Sequence, residues 1–349
     1  MSDTMDAARR VLAEYDGPKI RIMEVCGTHT HEIFRLGVRR LLPEAVDLIS
    51  GPGCPVCVTP TGYIDEAVLL ALGHGATITT FGDLVRVPGT EKSLAQARSE
   101  GAKVKVVYAP MDAVDYAEAH PDEPVVFLSV GFETTTPSSC LAVESARARG
   151  IRNFYLLTAN KTMPNAYQVL KESVDAYLYP GHVHAIIGTK LCEELAEEGV
   201  SGVVAGFTAR ELITAFAVIL KKSEEGKPFF VNCYPRVVTR EGSVEAQELV
   251  ARMMEPCDAE WRGIGVIPGS GQQLRGEYAE HDARKAFALP PIVGRSNPGC
   301  RCGEVLRGSC RPSDCPLFGK VCTPRSPVGA CMVSGEGACS AYYQYGGLE

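Results

Sequence analysis

The sequence has little positive charge and no long apolar run. Its 349 residues include 35 Lys and Arg against 42 Asp and Glu, which gives a formal net charge of -7. We therefore expect neither nucleic acid nor an anionic membrane as a partner, since both are bound through basic surfaces. No stretch of 18 apolar residues is present, and the opening MSDTMDAARRVLAEYDG lacks the apolar core of a secretory signal. These absences predict a cytoplasmic protein, in a compartment where thiols stay reduced.

Cysteine, by contrast, is abundant, with 14 residues in the chain. Seven of them lie within residues 300–339, and three more, Cys26, Cys54 and Cys57, lie in Gly-rich segments near the start. A chain of this length can bury a sufficient core without covalent links. The cysteine pattern therefore favours metal or redox chemistry over a disulfide framework. The remaining four, for which we expect the role of small buried hydrophobes, are Cys140, Cys192, Cys233 and Cys257.

The chain alternates short β-branched runs with helical stretches as far as about residue 240. The predicted strands are 19–27, 46–51, 77–81, 104–109, 124–132, 154–159, 184–188, 202–207 and 229–234. The predicted helices are 31–42, 64–75, 165–178, 209–222 and 245–255. Alternation of this kind is typical of an α/β fold with parallel sheets, and nine strands are many for one sheet. We predict two parallel-sheet α/β domains, 1–110 and 111–240, followed by a helical and irregular C-terminal module, 241–349, ordered by a metal centre.

Several unusual motifs follow predicted strands, at the end of the sheet where α/β proteins bind ligands. CGTHTHE begins at Cys26, GPGCPVCVTP contains Cys54 and Cys57, and GFETTTP and GHVH follow later strands. The Cys54-x-x-Cys57 spacing suits thiol–disulfide exchange or the binding of one metal ion. Cys26 adds a third thiol, which with nearby imidazoles could hold iron or zinc.

Each of these motifs also has a purely structural interpretation. His29 and His31 could simply bond backbone groups at the start of a helix. We expect His184 to be packed in the interior, which leaves His182 as the better functional candidate of that pair. The threonine run 134–136 could serve only to cap a helix.

The C-terminal cysteines do not follow a standard spacing. They are Cys300, Cys302, Cys310, Cys315, Cys322, Cys331 and Cys339. Neither the paired knuckles of a zinc ribbon nor the spacing of a bacterial ferredoxin is present. So dense a set of soft ligands favours an iron–sulfur cluster, with zinc as the alternative, but the spacing alone does not select four ligands from seven.

The motifs CGTHTHE, GPGCPVCVTP, GFETTTP, the GHV turn and RCGEVLRG…CPLFGKVCTP…EGACSAYYQY together resemble the HypD family over residues 19–345. HypD proteins act in [NiFe]-hydrogenase maturation. The resemblance implies a [4Fe-4S] cluster held in a Cys-x12-Cys-x6-Cys-x16-Cys pattern. The matching residues are Cys302, Cys315, Cys322 and Cys339. Cys300, Cys310 and Cys331 are then extra cysteines.

The resemblance further implies a scaffold on which the Fe(CN)2CO group is assembled. The implied partners are a HypC-type chaperone, HypE as the source of cyanide, and, through HypC, the hydrogenase large subunit. Cys26 would be the thiolate that bridges to the iron, while Cys54 and Cys57 would be a redox-active pair and further candidate metal ligands. His29 joins these three as a catalytic candidate. Glu336 also matches a family motif, without an assigned step.

Two other functions compete with this scaffold. One is a cluster-dependent thiol–disulfide oxidoreductase that uses Cys54 and Cys57. The other is a zinc-stabilised interaction protein. The sequence does not decide whether the chain is an enzyme in the strict sense, and a radical mechanism is not expected without a Cys-x3-Cys-x2-Cys motif.

Overall fold

The computed structural model describes residues 2–346, and the side chains of residues 5–346. The strands in this range are β1 (Ile20–Glu24), β2 (Val46–Ser50), β3 (Thr77–Thr80), β4 (Val104–Val106), β5 (Val125–Ser129), β6 (Phe154–Thr158), β7 (Ala176–Pro180), β8 (Ser201–Ala205), β9 (Phe230–Asn232), β10 (Met254–Trp261) and β11 (Gly265–Leu274). The α-helices are α1 (Ser2–Glu14), α2 (Gly27–Arg35), α3 (Thr61–Gly73), α4 (Leu94–Ser99), α5 (Pro110–Ala119), α6 (Thr136–Ala148), α7 (Met163–Leu170), α8 (Gly181–Ile187), α9 (Lys190–Glu197), α10 (Ala209–Ser223), α11 (Val244–Met253), α12 (Ala283–Ala286), α13 (Cys302–Leu306) and α14 (Ala338–Tyr345). No helix in the described range is both long and apolar enough to cross a membrane.

The strands form two parallel sheets and one hairpin. The first sheet has the order β2-β1-β7-β8-β9, and the second has the order β4-β3-β5-β6. β10 and β11 pair antiparallel. The prediction of an α/β fold with parallel sheets is therefore confirmed, and two sheets are consistent with two α/β domains.

The order in which the chain enters the two sheets does not follow the predicted domain boundary at residue 110. β1 pairs with β7, so that Met23 lies opposite Tyr177, and the chain builds the second sheet between these two strands. Residue 110 falls within the second sheet, between β4 and β5. Local periodicity indicates that a segment is a strand but not which distant strand it will pair with.

One predicted strand was wrong. Residues 184–188 lie mostly in helix α8, whereas the strand is β7, in the last part of the predicted helix 165–178. A short apolar run fits a buried helix as well as a strand, and here the aromatic residues Tyr177 and Tyr179 mark the true strand.

The sequence explains why these elements form. All five residues of β5 are buried, as expected for an inner strand of a parallel sheet covered on both faces. Helix α10 begins at a capping box in which Thr208 and Glu211 exchange hydrogen bonds. It then buries Leu212, Phe216 and Leu220, four residues apart, against the first sheet.

Beyond β11 the chain becomes irregular and packs on the first sheet. Helix α14 contacts α2, and α13 contacts β2. Its buried cysteines share one core cluster with Met23 and Tyr177 of the first sheet. The C-terminal cysteines are thereby carried to the edge of the sheet where β1 and β2 end.

Candidate thiol and metal centre

Cys26 lies at the carboxyl end of β1, in the N-cap position of α2. The residue is 7% exposed. Burial raises the pKa of its thiol to about 12, although the backbone amides of His29 and Thr28 donate hydrogen bonds to the sulfur. The Cys26 thiol is therefore protonated at neutral pH.

The loop after β2 passes directly against Cys26. The Gly27 amide donates to the Gly53 carbonyl at 3.0 Å. A Cβ atom at Gly53 would overlap the Cys26 backbone, and a Cβ atom at Gly27 would lie 3.2 Å from Cβ of Cys54. Glycine at both positions thus allows the two loops to approach so closely that Cys54 lies beside the Cys26 turn.

Cys54 and Cys57 form a tight turn, which we call the CPVC pair. The amides of Cys57 and Val58 both donate to the Cys54 carbonyl, at 3.1 and 3.3 Å. Both cysteines are buried and reduced. Burial raises the pKa of Cys57 well above its ordinary value, and hydrogen bonds from its thiol to Cys331 and Cys54 add to the effect.

Cys331, for which the sequence indicated no role, lies between the CPVC pair and the other C-terminal cysteines. The thiols of Cys302 and Cys57 both donate hydrogen bonds to its sulfur and lower the pKa of Cys331 to about 6, against the opposing effect of burial. Cys331 is fully buried. Cys331 therefore lies between Cys57 of the CPVC pair and Cys302.

Five cysteines line one small apolar cavity beyond Cys302, which we call the thiol cavity. They are Cys300, Cys302, Cys315, Cys322 and Cys339, and Arg301, Val305, Leu317, Phe318 and Met332 complete the lining. The Sγ atoms of Cys300 and Cys302 are 3.2 Å apart, and the Val328 amide donates to Cys322 Sγ at 3.3 Å. The cavity includes all four cysteines of the ligand set implied by the family resemblance, together with Cys300.

The donor set fits an iron–sulfur cluster in its chemistry. Clusters of this kind are bound by four thiolates, and their potential responds to burial and to amide hydrogen bonds to sulfur. Within residues 5–346, no three Cys, His, Asp or Glu side chains form a group that could hold a single metal ion. Cys310 lies outside the thiol cavity, in a groove beside β2.

His29 is buried beside the carboxyl end of β8. Its Nε2 donates to the Gly206 carbonyl at 2.9 Å, and its Nδ1 has no partner among the described residues. Burial lowers the pKa of His29 to about 4, so the ring is neutral. Phe207 stacks between His29 and His182, with centroids 4.7 and 3.9 Å away. His29 therefore presents an unused acceptor in the interior, which sequence alone does not reveal.

Glu336 reaches from the C-terminal segment to the start of α2. Its Oε1 accepts from the Thr28 hydroxyl at 2.8 Å, and a Cβ atom at Gly27 would lie 2.8 Å from its Oε2. His31 makes a second link between the same segments, from Nδ1 to the Gly335 carbonyl at 3.3 Å. Glu336 thus places a carboxylate next to Cys26, although the two are 310 residues apart.

Glu133, in the GFETTTP motif after β5, is a polar residue that the sequence did not single out. Its Oε1 accepts from the Met163 amide at 2.8 Å, whereas its Oε2 is buried without a partner in the described structure. Burial raises the pKa of Glu133 to about 7. The hydroxyls of Thr135 and Thr136 both return to the Phe132 carbonyl, so these threonines stabilise the start of α6.

His184 is packed in the interior, as expected. It is fully buried, its Nδ1 donates to the Gly188 carbonyl at 2.7 Å, and its Nε2 lies 3.4 Å from the Tyr167 hydroxyl. Cys192 Sγ lies 3.5 Å from the same nitrogen. Cys140 and Cys192 are both fully buried, which fits the expected role of small hydrophobes, whereas Cys233 and Cys257 are only partly buried.

A parallel α/β fold with buried thiols at its strand ends, close to a cavity lined by five cysteines, defines an α/β protein built around a buried thiol centre. The comparisons with known proteins identify the family. The family model described as "HypD: Hydrogenase formation hypA family" matches residues 3–346. The chain belongs to the HypD family.

Similar proteins come from bacteria and from an archaeon. The hydrogenase maturation factor HypD of Rhizobium leguminosarum bv. viciae is 43% identical, over 98% of this chain and 92% of that protein. Hydrogenase maturation factor HypD of Escherichia coli (strain K12) is 44% identical, over 93% and 89%. The putative hydrogenase expression/formation protein of Methanocaldococcus jannaschii is 42% identical, over 94% and 92%.

Proposed function

We propose that this chain is a hydrogenase maturation factor on which the Fe(CN)2CO group of a [NiFe]-hydrogenase is assembled. The burial of the CPVC pair, Cys331 and three cysteines of the thiol cavity in one core cluster, with Cys26 beside the CPVC pair, carries the proposal. Family membership supports it, since curated relatives are named hydrogenase maturation factors. Assembly in this sense does not require the chain to be an enzyme.

A [4Fe-4S] cluster would be held in the thiol cavity by Cys302, Cys315, Cys322 and Cys339, and it would supply electrons one at a time. The chain's own residues prepare the cavity for this group. Leu317, Phe318 and Met332 keep water away from the thiols. The Val328 amide gives Cys322 a hydrogen bond that stabilises its thiolate form.

The CPVC pair would supply the thiol chemistry. When Cys54 and Cys57 form a disulfide, two S–H bonds are lost, one S–S bond forms, and two electrons and two protons are released. The reverse step consumes two electrons and two protons. Cys331 is the cysteine next to Cys57 on the side of the thiol cavity. The position of Cys331 between Cys57 and Cys302 supports a short route for those electrons within the protein.

Cys26 would bind the iron of the Fe(CN)2CO group, which is cargo and not a resident cofactor. Thiolate is a suitable ligand for so soft an iron centre. Because burial keeps the Cys26 thiol protonated, iron loading releases one proton. One cysteine ligand, with the remaining positions completed by a HypC-type chaperone, would allow the iron to leave for the hydrogenase large subunit. HypE would deliver the cyanide.

The same arrangement of cysteines also favours a second function, a cluster-dependent thiol–disulfide oxidoreductase. In that case the CPVC pair would act on an external disulfide, and Cys26 would have no metal to bind. Replacement of Cys26 would then leave turnover of disulfide substrates unchanged. Under the scaffold function, Cys26 is as necessary as the CPVC pair.

The cluster assignment is tested by iron and sulfide analysis of protein purified without oxygen. We expect about four irons and four sulfides per chain. Cys315→Ala and Cys322→Ala should each lose them, whereas Cys140→Ala, at a buried site in another core cluster, should keep them. Retention of the cluster in both Cys315→Ala and Cys322→Ala would exclude the proposed ligands. Comparison of Cys302→Ala with Cys300→Ala decides which of these adjacent thiols is the ligand.

A further inference from the structure

A wide groove lined by arginines runs beside the thiol cavity. It encloses about 1110 Å³, and Arg86, Arg262, Arg295 and Arg325 all line it. Glu91 is the one carboxylate among its described lining residues. These residues come from four separate segments of the chain, and we call their shared surface the arginine groove.

The positive charge of the groove is largely uncompensated. Arg295 pairs with Glu91 at 3.2 Å, and both side chains are more than three-quarters exposed. Arg86 donates instead to the carbonyls of Pro324 and Val333, and the 5% exposed Arg262 donates to the Pro88 carbonyl at 3.2 Å. Among the described residues, no carboxylate lies within 4 Å of the guanidinium of Arg86, Arg262 or Arg325. Three surplus charges are thus collected on one face of a chain whose net charge is -7.

The arginine groove borders the thiol cavity. Ser326, Pro327 and Val328 form part of its wall, and the amide of Val328 donates to Cys322 Sγ at 3.3 Å. A Cβ atom at Gly329, the next residue along the chain, would lie 2.7 Å from Sγ of Cys300. A molecule seated in the groove therefore lies next to two cysteines of the thiol cavity.

We infer that the arginine groove docks an acidic one-electron carrier protein, which reduces the cluster of the proposed function. In each encounter the carrier loses one electron and the cluster gains it, with no bond made or broken. Two such transfers, together with two protons from water, reduce the CPVC disulfide. This inference rests on the proposed function, because it requires a cluster in the thiol cavity.

Several features favour a protein over a small anion as the occupant. The charges are distributed over four segments around a large open groove and do not converge on one point. Two residues before Arg295, Val293 is 89% exposed and offers an apolar contact of the kind found in transient interfaces. Charge spread in this way speeds the encounter between oppositely charged proteins.

The test reverses two charges that have no structural role in the groove. The Arg325 side chain makes no hydrogen bond or ion pair with any described residue, and the Arg295 side chain makes only the exposed pair with Glu91. The test protein carries Arg295→Glu and Arg325→Glu. The control carries Arg152→Glu and Arg210→Glu, which change the charge equally at other exposed positions.

A small acidic ferredoxin serves as the carrier. Binding of the oxidised ferredoxin is measured by calorimetry, and reduction of the cluster by the reduced ferredoxin is followed by stopped-flow absorbance at low and high NaCl. We expect the test protein to be reduced at least about tenfold more slowly than wild type at low salt, with weaker binding. The control should match wild type, and the difference should shrink at high salt.

The possible failures are distinguishable. Dithionite, which needs no docking site, should reduce the cluster in all three proteins. If iron analysis finds no cluster in the chain, the proposed function itself is refuted. Equal reduction rates for the test protein and wild type, with the cluster present, overturn the docking proposal alone. Equal loss in test and control proteins overturns it as well. The docking proposal is also overturned if inorganic phosphate displaces ferredoxin more strongly than NaCl does at the same ionic strength. That result would assign the groove to a small anion.

Discussion

Replacement of Gly329 by alanine tests whether the thiol cavity must stay clear for a metal centre. A Cβ atom at this position would meet Sγ of Cys302 and lie 2.7 Å from Sγ of Cys300. The Gly329 backbone is extended (φ −115°, ψ 151°), so alanine adds no backbone strain, and any effect comes from the methyl group. The methyl group must displace at least one of these sulfurs. Overpacking of this kind costs about 1–3 kcal/mol.

We expect Gly329→Ala to lose most of its iron and sulfide, because displaced thiols cannot all reach one cluster. Gly335→Ala is the matched control, since a Cβ atom there meets nothing within 4 Å in the same C-terminal segment. Iron and sulfide per chain and the midpoint of thermal unfolding are measured for both variants without oxygen. A Gly329→Ala protein with the iron content and stability of Gly335→Ala would refute the assignment of the cavity.

Three further predictions concern Cys331 and two buried charges. Cys331→Ala should keep its cluster iron, but reduction of the CPVC disulfide through the cluster should be slower by about tenfold or more. The rate is measured by alkylating the free thiols at set times. An unchanged rate would show that Cys331 does not lie on the electron route. Burial lowers the pKa of Lys161 from 10.5 to about 8, so the unfolded chain binds more protons between these values and stability rises with pH across that window. Lys161→Met should remove this rise and increase the free energy of unfolding by up to about 3 kcal/mol at pH 7, measured by urea titration. If the variant still becomes more stable across this pH window, Lys161 is not the cause of the rise. The Glu66 side chain is 12% exposed and pairs with Arg284 at 2.9 and 2.7 Å, so Glu66→Gln should cost about 3 kcal/mol, whereas Glu225→Gln, in an exposed pair, should cost under about 1 kcal/mol. Equal costs for the two in urea titrations would contradict this reasoning.

The strands could be predicted where burial and side-chain type agree. β5 is buried throughout and apolar in four of its five residues, and it was predicted at 124–132 because an inner strand of a parallel sheet needs no polar face. The hairpin of β10 and β11 was missed, because two prolines, a bulge and several glycines interrupt its pattern. The pairing of β1 with β7 depends on contacts between distant segments, which no local pattern contains.

The candidate site could be predicted only in part for a similar reason. Strand ends identified Cys26 and the CPVC pair, because the carboxyl ends of parallel strands meet at one edge of a sheet. The contact of Cys57 with Cys331 crosses 274 residues of chain, so cysteine spacing gives no sign of it. The unpartnered atoms of His29 and Glu133 are also invisible in the sequence, since they depend on what the fold leaves unpaired.

The infrared spectrum of a Cys26→Ala protein tests the central claim most directly. Wild-type protein, purified without oxygen together with its HypC-type chaperone, should show cyanide and carbonyl stretching bands and iron in excess of the cluster. Cys26→Ala should keep the cluster iron and lose both the bands and the excess, because Cys26 lies outside the thiol cavity. A Cys26→Ala protein that retains those bands would contradict the assembly of Fe(CN)2CO at Cys26.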